Sequence, residues 1–207
     1  MTITYTLGNN LYLNLTNHCP NACEFCIRTQ GDGVGESGSL WLEREPTREE
    51  VLSDLKKWNL ADFEEIVFCG YGEPTCRFDD LVWICRKIKE ASPAVRIRVN
   101  TNGLSDAINH RKTAPELDGL VDIISISLNA STPEKYDALC HSKFGLEALP
   151  AILQFTREVQ SYVPTVMMSM VDDGTDPEEI AACEKLCLST GAKFRVRKCI
   201  HHNRTYD

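Results

Sequence analysis

The chain has 207 residues, 43% of them apolar and 25% charged, enough for one domain with a substantial core and too few for two. A formal net charge of −8, from 22 basic and 30 acidic residues, repels a phosphate backbone, so general nucleic-acid binding is not expected. No apolar run reaches the roughly 20 residues of a membrane span, and MTITYTLGNN lacks the basic start and apolar stretch of a signal peptide, so a cytoplasmic protein without a membrane partner is predicted.

Residues 2–6 and 10–16 read as strands around Gly8-Asn9-Asn10, a hairpin turn signal, and LYLNLTN alternates apolar and polar positions. Cys19, Cys23 and Cys26 follow in CPNACEFC, spaced C-x3-C-x2-C. Next comes QGDGVGESGS (30–39), which reads as a flexible connector or as a mobile lid beside the cysteines. Its formal match to G-x-G-x-x-G carries no dinucleotide meaning, because no strand precedes it and the next helix starts only at 47.

Thr47 with Glu50, just after Pro46, reads as a capping box that opens a helix to about Trp58. A buried-type strand at 65–70 and a helix at 78–91 follow, then a strand at 95–100 with a TNG turn and a short helix. The pattern continues with a strand at 121–129, two helical stretches across 133–161, a strand at 165–171, a helix at 176–190 stopped by Gly191, and a last strand at 193–199. After the hairpin, about six strands in βα order predict a parallel sheet covered by helices, either doubly wound or an open, incomplete barrel. In both, the ligand site lies at the C-terminal ends of the strands. There the sequence delivers the cysteine loop, GYGEPT, TNG and SLNAST after four consecutive strands.

Ten cysteines are many for a cytosolic chain, where disulfides are rare. Cys69, Cys76, Cys85, Cys140, Cys183, Cys187 and Cys199 are scattered, and each taken singly reads as a small buried apolar residue. Cys183 and Cys187, four apart on a helix with Cys199 on the next strand, read as core positions in preference to a second cluster. Structural zinc wants four ligands, and the loop supplies three, leaving Cys69 or Cys76 as a distant fourth. An iron–sulfur cube on three thiolates leaves one iron open, whereas cubes that only carry electrons normally have four cysteines. A zinc module, an electron carrier and a catalytic cluster all stay open at this level.

C-x3-C-x2-C with Phe25 before the last cysteine resembles the signature of the radical S-adenosylmethionine (SAM) superfamily. The resemblance implies one [4Fe-4S] cluster on Cys19, Cys23 and Cys26, with SAM chelating the open iron. GYGEPT is similar to the family's glycine-glycine-glutamate motif, which assigns Gly70, Tyr71, Gly72, Glu73 and Pro74 to the SAM amino group, with Tyr71 standing where the commonest form has glycine. VNTNG and SISLNA resemble later strand ends that contact the ribose and methionine parts of SAM, which adds Asn100, Asn102, Ser127 and Asn129. On physical grounds glycines at 70 and 72 let backbone carbonyls approach a ligand, Glu73 offers charge to an ammonium, and Pro74 stiffens the turn.

The basic clusters, Arg96 with Arg98 and Arg195 with Arg197 and Lys198, are sized for a single anionic group. Arg195 and Arg197 share a strand face by period 2, and Arg197 is the candidate for SAM carboxylate or substrate, against a plain solvent-facing strand. Asp172 and Asp173 either reach substrate or begin a turn, and His201 and His202 read as tail.

The resemblance runs over roughly residues 10–199 and implies an α/β, partial (β/α)6 barrel with an N-terminal β-hairpin, forming a single domain over 1–207. It implies reductive cleavage of SAM to methionine and a 5′-deoxyadenosyl radical, which takes hydrogen from a small molecule, a peptide or a partner protein. A flavodoxin- or ferredoxin-type donor would supply the electron, and an activase that makes a glycyl radical on a partner is a variant of the same chemistry. More narrowly, GNNLYLNLTNHCPNACEFCIR and FCGYGEPT resemble the subgroup associated with TatD-type nucleases.

Overall fold

A computed structural model describes residues 1–198, so Cys199, His201 and His202 lie outside the described residues. The hairpin forms first: β1 (Thr4–Leu7) and β2 (Asn10–Leu13) pair antiparallel with Leu7 opposite Asn10. The two-residue turn between them puts Gly8 at φ +56°, a conformation glycine adopts without a Cβ penalty.

Five further strands then add one by one, each parallel to the last: β3 (Glu65–Phe68), β4 (Arg96–Thr101), β5 (Ile123–Ser127), β6 (Thr165–Asp172) and β7 (Lys193–Lys198). The sheet order is β1 through β7 without interruption, and β1 and β7 are its two edges. Helices fill the crossovers: α1 (Arg48–Leu55), α2 (Phe78–Ala91), α3 (Ser105–Asn109), α4 (Pro133–Cys140) with α5 (Ala148–Val159), and α6 (Pro177–Leu188). Six parallel strands with helices and an N-terminal hairpin make the α/β partial barrel that the family resemblance implies, in preference to the doubly wound alternative.

Strand alternation divides the sheet into two chemical faces. Leu11, Leu13, Ile66, Phe68, Ile97, Val99, Ile124, Ile126, Met168 and Met170 are buried in the main core with Leu81, Ile84 and Ile88 of α2 and Ile152 and Phe155 of α5. Each such side chain contributes about 1.5–3 kcal/mol by leaving water. The alternate set, Tyr12, Arg98, Asn100, Ser125, Ser127, Ser169, Arg195 and Arg197, points to the inner side of the barrel.

Two expectations change. Segment 30–39 is no loose connector: Leu40 N–H donates to Asp32 O at 2.6 Å and Ser37 N–H to Val34 O at 3.0 Å. Val34 and Leu40 are buried in a second apolar cluster with Tyr5 and Tyr71. The first helix stops at Leu55, three residues before Trp58, and a 3₁₀ turn at Leu60–Asp62 follows. Cys183 and Cys187 are fully buried on α6 in the main core, as their spacing indicates. Among the described residues no helix is long and apolar enough to cross a membrane.

Candidate metal and cofactor site

The cysteine loop leaves β2 and is carried by the end of α4. A helix C-terminus leaves its last carbonyls without partners, and here Ala22 N–H donates to Cys140 O (3.0 Å) and Glu24 N–H to Leu139 O (3.1 Å). Lys143 N–H returns a bond to Pro20 O at 2.9 Å. Arg28 donates to Asn21 O at 3.1 Å, and the Asn21 amide donates to the Tyr136 hydroxyl at 3.0 Å. The loop is thus held from several sides by its backbone and by Asn21 and Arg28.

Cys19, Cys23 and Cys26 are all partly exposed. Burial pushes the Cys19 thiol up to about 12, with the charge of Glu73 acting in the same direction. Cys23 is pushed up first by its hydrogen bond with Cys140 and then by burial, and burial also raises Cys26. Burial raises all three thiols, and a cationic metal group would favour their deprotonated forms. Among the described residues no three His, Cys, Asp or Glu side chains converge to hold a single metal ion. A four-iron cube takes one thiolate per corner, so it asks for spread thiols in one loop and not for convergence on a point. As a donor set, three thiols on one partly exposed strand-end loop suit such a cluster.

GYGEPT follows β3 and packs directly on the cysteine loop. Glu73 N–H donates to His18 O at 2.8 Å. A Cβ on Gly72 would stand 2.3 Å from Thr16 O and 2.6 Å from His18 O, and one on Gly70 would stand 2.0 Å from Asn14 Oδ1. The glycines are therefore required by the chain's own contacts, whatever binds above them.

Glu73 is almost fully buried and bridges two strand ends. Its Oε1 accepts from Thr75 N (3.0 Å), Thr75 Oγ1 (2.7 Å) and Thr101 Oγ1 (2.7 Å), and its Oε2 from Asn102 N (2.7 Å). Burial raises its carboxyl against the pull of these bonds. Pro74 opens the 3₁₀ turn Pro74–Arg77, where it removes no needed donor. Tyr71 is buried and turns its ring toward segment 27–42.

The later strand ends bring the remaining residues to the same edge. Asn100 hydrogen-bonds the Cys69 thiol on the inner face. Asn102 accepts Leu104 N–H at 2.9 Å, and its buried Nδ2 has no partner among the described residues. Ser127 ends β5, and Asn129 just beyond it adopts φ +61°, a left-handed conformation that Asn tolerates better than most residues. Asn129 Nδ2 donates to Cys140 Sγ at 3.8 Å, while its buried Oδ1 has no partner among the described residues.

Asn129 opens onto a cavity of about 460 Å³ between the cysteine loop and the ends of β5 and β6, lined among others by Phe25, Ala130, Val171, Asp173 and Glu179. Arg197 stands apart from that cavity: its Nε donates to Ser169 Oγ at 3.1 Å, and its charge is felt by Cys69 across the barrel. Asp172 begins a turn, accepting Gly174 and Thr175 N–H, each at 3.1 Å. Sequence reasoning missed the Cys140–Tyr136–Asn21 support and the threonines that hold Glu73. Cys140 carried no signal beyond being one of seven scattered cysteines, and Thr75 and Thr101 lie inside quoted motifs without any mark of their role.

The family model described as the radical SAM superfamily matches residues 13–187. The chain belongs to the radical SAM superfamily. Members of this superfamily bind a [4Fe-4S] cluster and SAM. Among curated relatives, the tungsten-containing aldehyde ferredoxin oxidoreductase cofactor-modifying protein of Pyrococcus furiosus is 27% identical over 188 residues, covering 87% of this chain and 48% of its own length. The mitochondrial GTP 3′,8-cyclase of Arabidopsis thaliana is 26% identical over 192 residues, covering 92% and 45%. The radical SAM chain thus spans about half the length of these relatives. Among solved structures, native anSMEcpe with bound AdoMet superposes with a TM-score of 0.63 at 17% identity, over 92% of this chain and 51% of that one.

Proposed function

We propose that this chain is a radical SAM enzyme that holds one [4Fe-4S] cluster on Cys19, Cys23 and Cys26 and binds SAM across the ends of β3 to β6. The observation that carries the reading is the docking of GYGEPT on the cysteine loop, through Glu73 N–H to His18 O and two glycines without room for a Cβ. When bound, the cluster supplies the electron that cleaves SAM to methionine and a 5′-deoxyadenosyl radical, which abstracts hydrogen from a substrate.

The chain's own residues do the rest. The GYGEP backbone carbonyls and the one Glu73 oxygen with capacity to spare, Oε2, receive the SAM amino group. The cavity beside Phe25 receives the adenosine end, where the unpartnered Asn129 Oδ1 awaits a donor. The inner face, with Asn100, Ser125, Ser127, Ser169 and Arg197, faces the substrate. The loop's partly exposed cysteines lie near enough to the surface for a flavodoxin- or ferredoxin-type donor.

The test is anaerobic reconstitution with iron and sulfide, addition of SAM and a strong reductant, and detection of 5′-deoxyadenosine by mass spectrometry. Cys19→Ala, Cys23→Ala and Cys26→Ala should each reduce product to background. A colourless protein that retains zinc, or product that survives all three substitutions, overturns the reading.

A further inference from the structure

The glycine-glycine-glutamate-like turn departs from the commonest form at Tyr71, and this side chain has a partner set of its own. It is 4% exposed. Its hydroxyl donates to Gly31 O at 2.5 Å, and its ring meets Trp41 edge-on with centroids 5.1 Å apart. It shares an apolar cluster with Val34 and Leu40, flanked by Ile27.

All of these partners belong to one strap, residues 27–42. The strap leaves directly after Cys26 and returns at Leu42, where Asn17 clamps it: Asn17 Nδ2 donates to Leu42 O (2.7 Å) and Leu42 N–H to Asn17 Oδ1 (3.1 Å). Both ends are therefore tied to the cysteine loop. Between them the strap lies over Tyr5 and Tyr12, whose stacked rings, 5.1 Å apart, face the inside of the barrel at its hairpin edge. Tyr5 marks that side by donating from its hydroxyl to Cys69 O at 3.1 Å.

Strap and turn also share Asn14. Its Nδ2 donates to Leu40 O at 2.7 Å, and its Oδ1 occupies the space a Cβ on Gly70 would need. The turn is wedged between the cysteine-loop backbone on one side and the strap on the other, so neither moves without the other. Two elements that share one geometry bias each other's equilibrium equally in both directions.

We propose that Tyr71 is a positioning residue that couples SAM binding at the GYGEP turn to closure of the 27–42 strap over the hairpin edge of the barrel, a coupling that rests on the reading of this turn as a SAM site. SAM then tightens the strap, and the closed strap tightens SAM. The strap walls off the inner face at β1 and β2, so substrate meets a cavity whose one side is set by whether SAM is in place.

The test uses the cluster-loaded full chain. Deuterium exchange of peptides covering 27–42 is followed with and without SAM, and the SAM Kd is measured by equilibrium dialysis on the same samples. In the wild type SAM should slow exchange in the strap. In Tyr71→Gly the strap should exchange at least about tenfold faster, SAM should no longer slow it, and the Kd should rise about tenfold, within the usual range of coupling between sites. Tyr71→Phe, which keeps the ring and loses the bond to Gly31, should fall between the two. Trp41→Ala acts from the strap side, removing the ring against Tyr71 while leaving every residue of the turn unchanged, and should raise the SAM Kd as well, so a poorly folding Tyr71→Gly leaves the test intact.

A strap that exchanges at the wild-type rate in Tyr71→Gly, a strap in the wild type indifferent to bound SAM, or a loosened strap in Trp41→Ala with wild-type SAM affinity each overturns the coupling alone. A loaded wild-type chain that takes no SAM overturns the function on which it rests.

Discussion

At Gly72 the neighbours are backbone carbonyls, Thr16 O and His18 O, and neither has a flexible side chain's freedom to yield. Gly72→Ala should therefore lift the turn off the cysteine loop and break the bond from Glu73 N–H to His18 O. The expected result is loss of most of the reconstituted iron, measured per chain against wild type; an unchanged iron content would contradict the packing argument. The sequence marks this glycine clearly, yet the reason it suggests is a ligand's approach, while the structure shows the chain's own loop. Glu73 teaches the same lesson. Its identity is legible in GYGEPT, but its four donors come from Thr75, Thr101 and Asn102, brought together only when β3 and β4 pair. Residue identity reads well from sequence where a motif is local, and poorly where a role depends on a partner some thirty positions away.

The helix α1 shows how far local grammar goes. Thr47 Oγ1 accepts Glu50 N–H at 3.2 Å and Glu50 Oε2 accepts Thr47 N–H at 2.8 Å, the capping box that the sequence announces. Thr47→Ala should cost about 1 kcal/mol of stability in denaturant unfolding of the cluster-free chain. Glu50 adds a pH signature. The hydrogen bonds it accepts from the Arg44 guanidinium and from Thr47 N–H hold its carboxyl down at about 2, against an ordinary 4.5. A carboxyl depressed on folding stabilises above its unfolded value, and that contribution fades as pH falls from 4.5 toward 2. Glu50→Gln should flatten the melting temperature over that window relative to wild type; parallel curves would refute the assignment. The order of strands and helices was readable from apolar period, because each strand is buried on one face and each helix along one stripe. Their ends were not, since 3₁₀ turns at Leu60–Asp62, Pro74–Arg77 and Ala114–Leu117 close elements by i→i+3 bonds that leave no period behind.

Across the whole molecule the described cysteines sort by position. Cys19, Cys23 and Cys26 gather on the strand-end loop, Cys76 lies within reach of the charge on Cys19, and Cys140 lies against Cys23. Cys183 and Cys187 sit in the core under β6, where Cys187 donates to Ala192 O at 3.5 Å. The double variant Cys183→Ala/Cys187→Ala should keep the wild-type iron content while losing about 1 kcal/mol per site from the vacated volume. A fall in iron with the fold intact would reveal a second centre on α6.

The two faces of the sheet have a consequence for how such a chain changes over generations. The main apolar core of the strands is written on the side toward the helices, in Leu11, Ile66, Ile97, Ile124 and Met168. Ser125, Ser127 and Ser169, on the inner side of the barrel, lie outside that core. Selection can change inner positions that hold no cofactor while the first set stays constant. A single frame can then be re-aimed at new molecules without relearning how to fold.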